Sequence, residues 1–145
     1  DLVALAKGIA AGFPAGAVIV GPEAAAPLGP GDLGSTFGGA PLALAAMDYT
    51  LDRVLAPGFL AGVRREGEGL TALVGRGPVR AIRGEGLLRG LVCSRPGREV
   101  AAELRERGVL VGSSSDPDVV RLTPPLVVDA ADRAVLADAL GDLVS

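Results

Sequence analysis

The segment Val79–Cys93 reads VRAIRGEGLLRGLVC and carries the main signal for the fold class. Two apolar runs, Val79–Ile82 and Leu87–Cys93, flank the turn sequence Gly84-Glu85-Gly86. Apolar runs of this length bounded by glycine are typical of strands, so we expect a pair of strands here. Cys93 should pack as a small apolar residue, because the chain has no histidine to activate its thiol.

Helical patterns flank this pair of strands. Upstream, Phe59–Leu73 has helical apolar spacing, although each of its glycines should cost about 1 kcal/mol relative to alanine, and its charged residues predict a solvated face. Downstream, Asp129 should cap a last helix. The other elements predicted in this region are a helix over Arg98–Arg107 and strands over Val109–Val111 and Val119–Leu122. The order from Pro57 onward predicts a small α/β domain with its helices on one sheet face.

The first part of the chain contains fewer elements. Ala17–Val20 is β-branched and apolar and predicts a buried strand, whereas the glycine-rich stretch Gly29–Gly39 predicts a loop. A helix should begin at Pro41, whose missing N–H suits a first helical position, and run to Leu55. The Pro57-Gly58 pair then marks a domain boundary, which gives domains 1–56 and 57–145.

Composition narrows the function classes. The chain has 145 residues, of which 49% are hydrophobic and 21% charged, with a net charge of -3. This is a globular composition, and the scattered arginines form no nucleic-acid footprint. No apolar run is long enough to span a membrane. A single cysteine fits a reducing compartment such as the cytoplasm, and with no histidine it leaves no plausible zinc or haem ligand set.

Three places have side chains suited to chemistry. Lys7 ends an apolar segment where loss of water would make its amine a nucleophile able to form a Schiff base, or it is an ordinary lysine whose head reaches solvent. The stretch Gly34–Gly39 offers backbone N–H groups and the hydroxyls of Ser35 and Thr36 to an anion, or it is merely a turn. Arg121, between apolar residues, should have little solvent around it and needs an anion, either a ligand carboxylate or a structural acid.

Four segments, kept in order, resemble the pyridoxal-phosphate aminotransferases of class III. Within that family the likeness is strongest to the acetylornithine type. The segments are LAKG with GFPAGA from Leu5 to Ala17, GSTFGGAPL from Gly34 to Leu42, RGEGLLRG from Arg83 to Gly90, and VRLTPPL from Val120 to Leu126. The chain differs from the family's usual His and Asn at Leu33 and Ala40.

The resemblance implies a fold type I architecture. Residues 1–56 would close the large doubly wound cofactor domain, and residues 57–145 would form the small C-terminal α/β domain. It implies that Lys7 holds pyridoxal 5'-phosphate and moves protons, that Thr36 binds the cofactor phosphate, and that Ser35 and Arg121 bind the substrate. In the family the loop around Ser35 reaches the partner's site, which implies a homodimer.

The reaction implied by this resemblance is transfer of an amino group from N2-acetylornithine, or a related ω-amino acid, to 2-oxoglutarate in arginine biosynthesis. Ornithine, succinyldiaminopimelate and 4-aminobutyrate remain alternative donors. The family's other cofactor-binding segments lie upstream of Lys7. We therefore expect this chain to be the C-terminal part of a larger subunit, and the alternative is a non-catalytic module that is inactive without the N-terminal part.

Overall fold

A computed structural model describes residues 1–144, and it divides the chain into two compact units. The first unit is Asp1–Phe59, and the second begins at Leu60. Among the described residues, no helix is both long and apolar enough to cross a membrane. Each unit has its own sheet.

The first unit is built on a hairpin and one long helix. Strand β1 (Leu2–Leu5) pairs antiparallel with β2 (Ala17–Val20), and the short helix α1 (Pro22–Ala25) and the long helix α2 (Pro41–Leu55) follow. The predicted strand, loop and long helix are confirmed. The expectation that β2 is buried is wrong, because the sheet of this unit has only two strands and leaves Val18 and Ile19 63% and 57% exposed.

The second unit packs helices on a three-stranded antiparallel sheet of order β3-β4-β5. Its elements are α3 (Phe59–Gly69) with a following 3-10 turn (Leu70–Leu73), β3 (Val79–Glu85), β4 (Leu88–Cys93), α4 (Gly97–Glu106), β5 (Val119–Leu122) and α5 (Ala130–Gly141). The prediction of a strand over Val109–Val111 is wrong. Among the described residues only Gly112 pairs there, in an isolated antiparallel bridge to Arg121. A longer ladder would bring Leu110 opposite Thr123, but β5 ends at Leu122 and is followed by Pro124 and Pro125, which have no N–H to donate.

Branched aliphatic side chains from both sheet and helices form the core of the second unit. Leu91, Val100, Leu104 and Leu140 are completely buried. Cys93 lies in the same core, and this burial raises the pKa of its thiol, which confirms the expectation of an inert, packed cysteine. The predicted cap of α5 is also confirmed, since the Asp129 carboxylate accepts from the N–H groups of Ala131 and Asp132 at 2.8 and 3.0 Å.

A junction between α3 and the β3–β4 hairpin explains part of the RGEGLLRG motif. The guanidinium of Arg89 donates to the carbonyl oxygens of Gly84, Gly86 and Gly67, at 2.5, 2.8 and 3.1 Å respectively. A Cβ atom on Gly67 would lie 2.5 Å from the carbonyl oxygen of Gly86. Gly67 is therefore needed for close approach of helix and turn, and is more than the weak helical position that the sequence suggested.

The charged face of α3 is only partly solvated. Arg64, Arg65 and Glu68 are exposed, as expected. Glu66 is not, because its Oε2 lies 3.3 Å from Nη2 of Arg133 on α5, with 20% of the Glu66 side chain exposed. The pair joins two helices that are distant in sequence, which helical periodicity alone cannot indicate.

Candidate active site

Lys7 begins a 3-10 turn, Lys7–Ala10, directly after β1; we call this segment the lysine turn. The backbone of Lys7 is left-handed, with φ 55°, and Ala11 at the other end has φ 50°. Within residues 1–144 these are the only two non-glycine residues with positive φ. Such conformations cost on the order of 1 kcal/mol and are enriched at functional sites. The strain is therefore concentrated around the residue that the sequence singled out.

The side chain of Lys7 is exposed in this structure. Within residues 1–144 its amine has no ion-pair or hydrogen-bond partner. The expectation that the apolar neighbours of Lys7 exclude water is wrong for this chain, because the hairpin that carries it is covered on neither side by further strands. What the structure provides is a free amine at the end of a strand, and any desolvation must come from other groups.

Ser35 and Thr36 lie in the predicted loop, and both are exposed. Within the described loop Gly34–Gly39, the only N–H group hydrogen-bonded to backbone is that of Gly38, which donates to the carbonyl oxygen of Ser35 at 3.2 Å. The N–H groups of Thr36 and Phe37 stay free. Free backbone donors beside two hydroxyls form a donor set that suits a phosphate. The residues present therefore fit an anionic group at this loop.

Arg121 lies on β5 between two buried residues, Val120 and Leu122. Because side chains alternate along a strand, Arg121 points to the opposite, open face, so the expected lack of solvent is wrong. A Cβ atom on Gly112 would lie 3.1 Å from Nε of Arg121, so the guanidinium lies close to this glycine. No acid among residues 1–144 pairs with Arg121, which removes the structural-acid interpretation within this part of the chain.

The four predicted site residues are divided between the two units. Lys7, Ser35 and Thr36 belong to the first and Arg121 to the second. Within the first unit, α2 packs against the lysine turn and begins at Pro41, soon after the Ser35-Thr36 loop. Sequence reasoning missed Ala10, which is 2% exposed, because an alanine in a glycine-rich segment has no pattern that marks it as an anchor.

A cleft of about 510 Å³ lies in the second unit. Its walls are mainly apolar, with Val111, Leu122 and Leu136 among them, and its charged residues are Asp132 and Arg133. Arg133 is already paired with Glu66. None of the predicted site residues lines this cleft, so it adds no group to the candidate site.

Comparison with known proteins identifies close relatives. The chain is 44% identical over 138 residues to the acetylornithine aminotransferase of Mesorhizobium japonicum, a match that covers 91% of this chain and 34% of that protein. It is 42% identical over 132 residues to the acetylornithine aminotransferase of Bacillus subtilis, covering 88% of this chain and 34% of that protein. The chain thus spans about a third of the length of these relatives.

Solved structures give the same result for the fold. The N-acetylornithine aminotransferase of Stenotrophomonas maltophilia superposes with a TM-score of 0.80 at 29% identity, over 97% of this chain and 38% of that one. The ornithine aminotransferase of Toxoplasma gondii, described with partial occupancy of PLP at its active site, gives 0.81 at 27% identity, over 97% of this chain and 35% of that one. The predicted fold class, part of a fold type I PLP-dependent transferase, is confirmed.

The family model described as "Aminotransferase class-III" matches residues 1–144. The match takes in the lysine turn, the Ser35-Thr36 loop and the strand that carries Arg121. A single continuous match to one family thus contains all four of the segments that resemble it. This chain belongs to the class III aminotransferases.

Proposed function

We propose that the protein containing this chain is a pyridoxal 5'-phosphate-dependent aminotransferase of the acetylornithine type. It transfers the amino group of N2-acetylornithine, or of a related ω-amino acid, to 2-oxoglutarate, as a cytoplasmic step of arginine biosynthesis. The observation that carries the proposal is Lys7, the only lysine of the chain, whose amine is free and sits on a strained turn within the matched segment. No other lysine of this chain competes for an aldehyde.

The residues of the first unit have the properties that this cofactor requires. Pyridoxal phosphate supplies an aldehyde for attachment and an electron sink. Lys7 attaches it covalently, and the loop around Thr36 binds its phosphate through free N–H groups and a hydroxyl. Once released by the substrate amine, Nζ of Lys7 would act as general base and acid and move a proton between the substrate carbon and the cofactor. For that transfer Nζ must be shielded from water, which residues outside this chain or a second subunit would provide.

Two further residues are assigned to the substrate. Ser35 lies beside Thr36 and presents a second hydroxyl in the same loop. Arg121 presents an unpaired guanidinium, and its planar group of donors matches a carboxylate in two hydrogen bonds. We assign it to the α-carboxylate of the amino-acid substrate.

The arrangement of chain segments is also part of the proposal. Residues 1–56 complete the large cofactor domain and residues 57–145 form the small domain, in a homodimer. In the first unit Leu33 and Phe37, at the Gly34–Gly39 loop, are 74% and 85% exposed. Exposed apolar side chains beside free N–H groups are typical of a loop that binds against another protein surface. We assign that surface to the active site of the second subunit.

The test uses a chimera in which this chain replaces the matching C-terminal segment of the Bacillus subtilis relative. Pyridoxal phosphate is added, the visible spectrum is recorded, and borohydride then fixes any attached cofactor for peptide mass spectrometry. We expect the cofactor on Lys7, and none on Lys7→Ala or on Lys7→Arg, which keeps the charge but cannot condense with an aldehyde. A native-like chimera with no cofactor on Lys7 would refute the proposal.

One observation favours a second candidate. The chain spans about a third of its relatives and leaves Lys7 exposed, so by itself it suits a non-catalytic module of the family. Transamination assayed with the isolated 145-residue chain separates the two, because turnover by that chain rules out the module. Donor choice among acetylornithine, ornithine, succinyldiaminopimelate and 4-aminobutyrate is settled by comparing kcat/KM in the chimera.

A further inference from the structure

The first unit contains a single buried residue, and it lies in the lysine turn. Among residues 1–59, only Ala10 is buried, at 2% exposure. Every large apolar side chain in this unit is at least partly exposed. The packing that holds this unit together is therefore concentrated three residues from Lys7, and a single methyl group is enclosed there.

Helix α2 is the element packed against that turn. Its partly buried positions, Ala43, Ala46, Met47, Thr50 and Val54, recur at helical spacing and form one stripe. Most of these side chains are small, which permits close approach of helix and turn. The backbone of the turn is further fixed by N–H to carbonyl hydrogen bonds from Ala11 to Gly8 at 3.2 Å and from Phe13 to Ala10 at 2.9 Å.

The same helix begins soon after the loop that carries Ser35 and Thr36. A turn fixed to α2 is thus also fixed relative to the start of α2, where that loop ends. We propose that Ala10 is a positioning residue: its small buried side chain seats the lysine turn on α2 and so sets where the Lys7 amine stands relative to the phosphate-binding loop. The role in cofactor placement rests on the proposed function, whereas the seating of the turn does not.

The first experiment needs no cofactor. Because Lys7 is the only lysine, a lysine-specific endoprotease can cut the 145-residue chain only after Lys7. The rate of cleavage is proportional to the fraction of molecules in which this turn is open. Ala10→Leu overfills the enclosed site, and we expect cleavage to be about tenfold faster. Ala10→Val should be intermediate, and Ala10→Gly should be cleaved about fourfold faster than wild type because it loses the enclosed methyl group. Ala45→Leu, on the exposed side of α2, is the matched control and should change the rate less than about twofold.

An arginine-specific protease, acting on the second unit of the same samples, reports whether a variant has unfolded as a whole. Cleavage after Lys7 at the wild-type rate in both Ala10→Leu and Ala10→Val would overturn the seating of the turn. Equal acceleration by Ala45→Leu would do the same. These outcomes hold whether or not the protein binds pyridoxal phosphate.

The second experiment tests placement in the chimera. We measure the pyridoxal phosphate concentration for half-maximal borohydride capture on Lys7, and the pH midpoint of the visible absorption of the bound cofactor. For Ala10→Leu the required concentration should rise about tenfold and the midpoint should shift, and Ala10→Gly should change both values in the same direction by a smaller amount. Unchanged values in a variant with a loosened turn would refute the positioning role. If the unmutated chimera captured no cofactor on Lys7, the proposed function would be refuted. The protease experiment would still decide whether Ala10 seats the lysine turn on α2.

Discussion

The exposure of Arg121 follows from the burial of its two neighbours on strand β5. Val120 and Leu122 point into the core of the second unit, so Arg121 between them must point out. Its guanidinium has no acidic partner within residues 1–144. Because the Arg121 side chain forms no ion pair in this part of the chain, substituting it should have little effect on folding. Its proposed role in substrate binding can therefore be tested directly.

The proposed carboxylate role predicts a specific loss for Arg121→Lys. Lysine keeps the charge but cannot form two parallel hydrogen bonds. We expect kcat/KM of the chimera to fall about 10- to 100-fold, with the melting temperature unchanged. Arg80→Lys, at an exposed arginine of β3, is the control. Full activity of Arg121→Lys would contradict the assignment.

Two of the three glycines in helix α3 differ in what an added Cβ atom would meet. Gly67 faces the β3–β4 turn, where a Cβ atom would stand 2.5 Å from the carbonyl oxygen of Gly86, which is backbone and cannot move aside easily. At Gly62 the nearest atom is the flexible end of Arg65, at 3.7 Å. Substitutions at these two positions show whether packing against the β3–β4 turn or helix propensity has the larger effect on the stability of α3.

We therefore expect opposite signs for the two alanine substitutions. Gly67→Ala should lower the free energy of unfolding by about 1–3 kcal/mol, because the turn must shift and the bond from Arg89 is disturbed. Gly62→Ala should raise it by up to about 1 kcal/mol through helix propensity. Urea denaturation followed by circular dichroism gives both values. If both substitutions raised the free energy of unfolding, α3 would not be closely packed against the β3–β4 turn at Gly67.

In the second unit as a whole, the side chain of Arg95 connects helix α4 with the distant residue Val144. Arg95, after β4, donates from Nη1 and Nη2 to the two carboxylate oxygens of Glu103 on α4, at 2.6 and 2.8 Å. Its Nε donates to the carbonyl oxygen of Val144, at 3.2 Å. The hydrogen bonds from Arg95 lower the pKa of Glu103 below its ordinary 4.5, and they raise the pKa of Arg95.

This pair predicts a pH dependence of stability. Because the folded pKa of Glu103 is depressed, its contribution is complete above the unfolded value of about 4.5 and is lost as the pH falls through the folded value. Arg95 stays charged across this range. The difference in unfolding free energy between wild type and Glu103→Gln should thus be constant near neutrality and narrow below about pH 4.5. Glu106→Gln serves as control, and an unchanged difference in acid would contradict the pairing.

Much of the fold was accessible from sequence because its signals are local. The turn at Gly86, the cap at Asp129, the helix after Pro41 and the strand around Arg121 each depend on residues within a few positions. The strand predicted at Val109–Val111 and the solvated Glu66 were wrong, since ladder pairing and the ion pair with Arg133 depend on segments far away in the chain. The roles assigned to Lys7, Thr36, Ser35 and Arg121 stay predictions.

The sequence alone determined which residue types stand at which positions along the chain: the sole lysine after an apolar strand, two hydroxyls in a glycine-rich loop, and an arginine in an apolar strand. Those are properties of covalent order and short-range periodicity. Only the tertiary structure decided exposure and partnership. It left the amine and the guanidinium free, and it buried Ala10 in a turn that packs against α2, because burial depends on which surfaces meet in space.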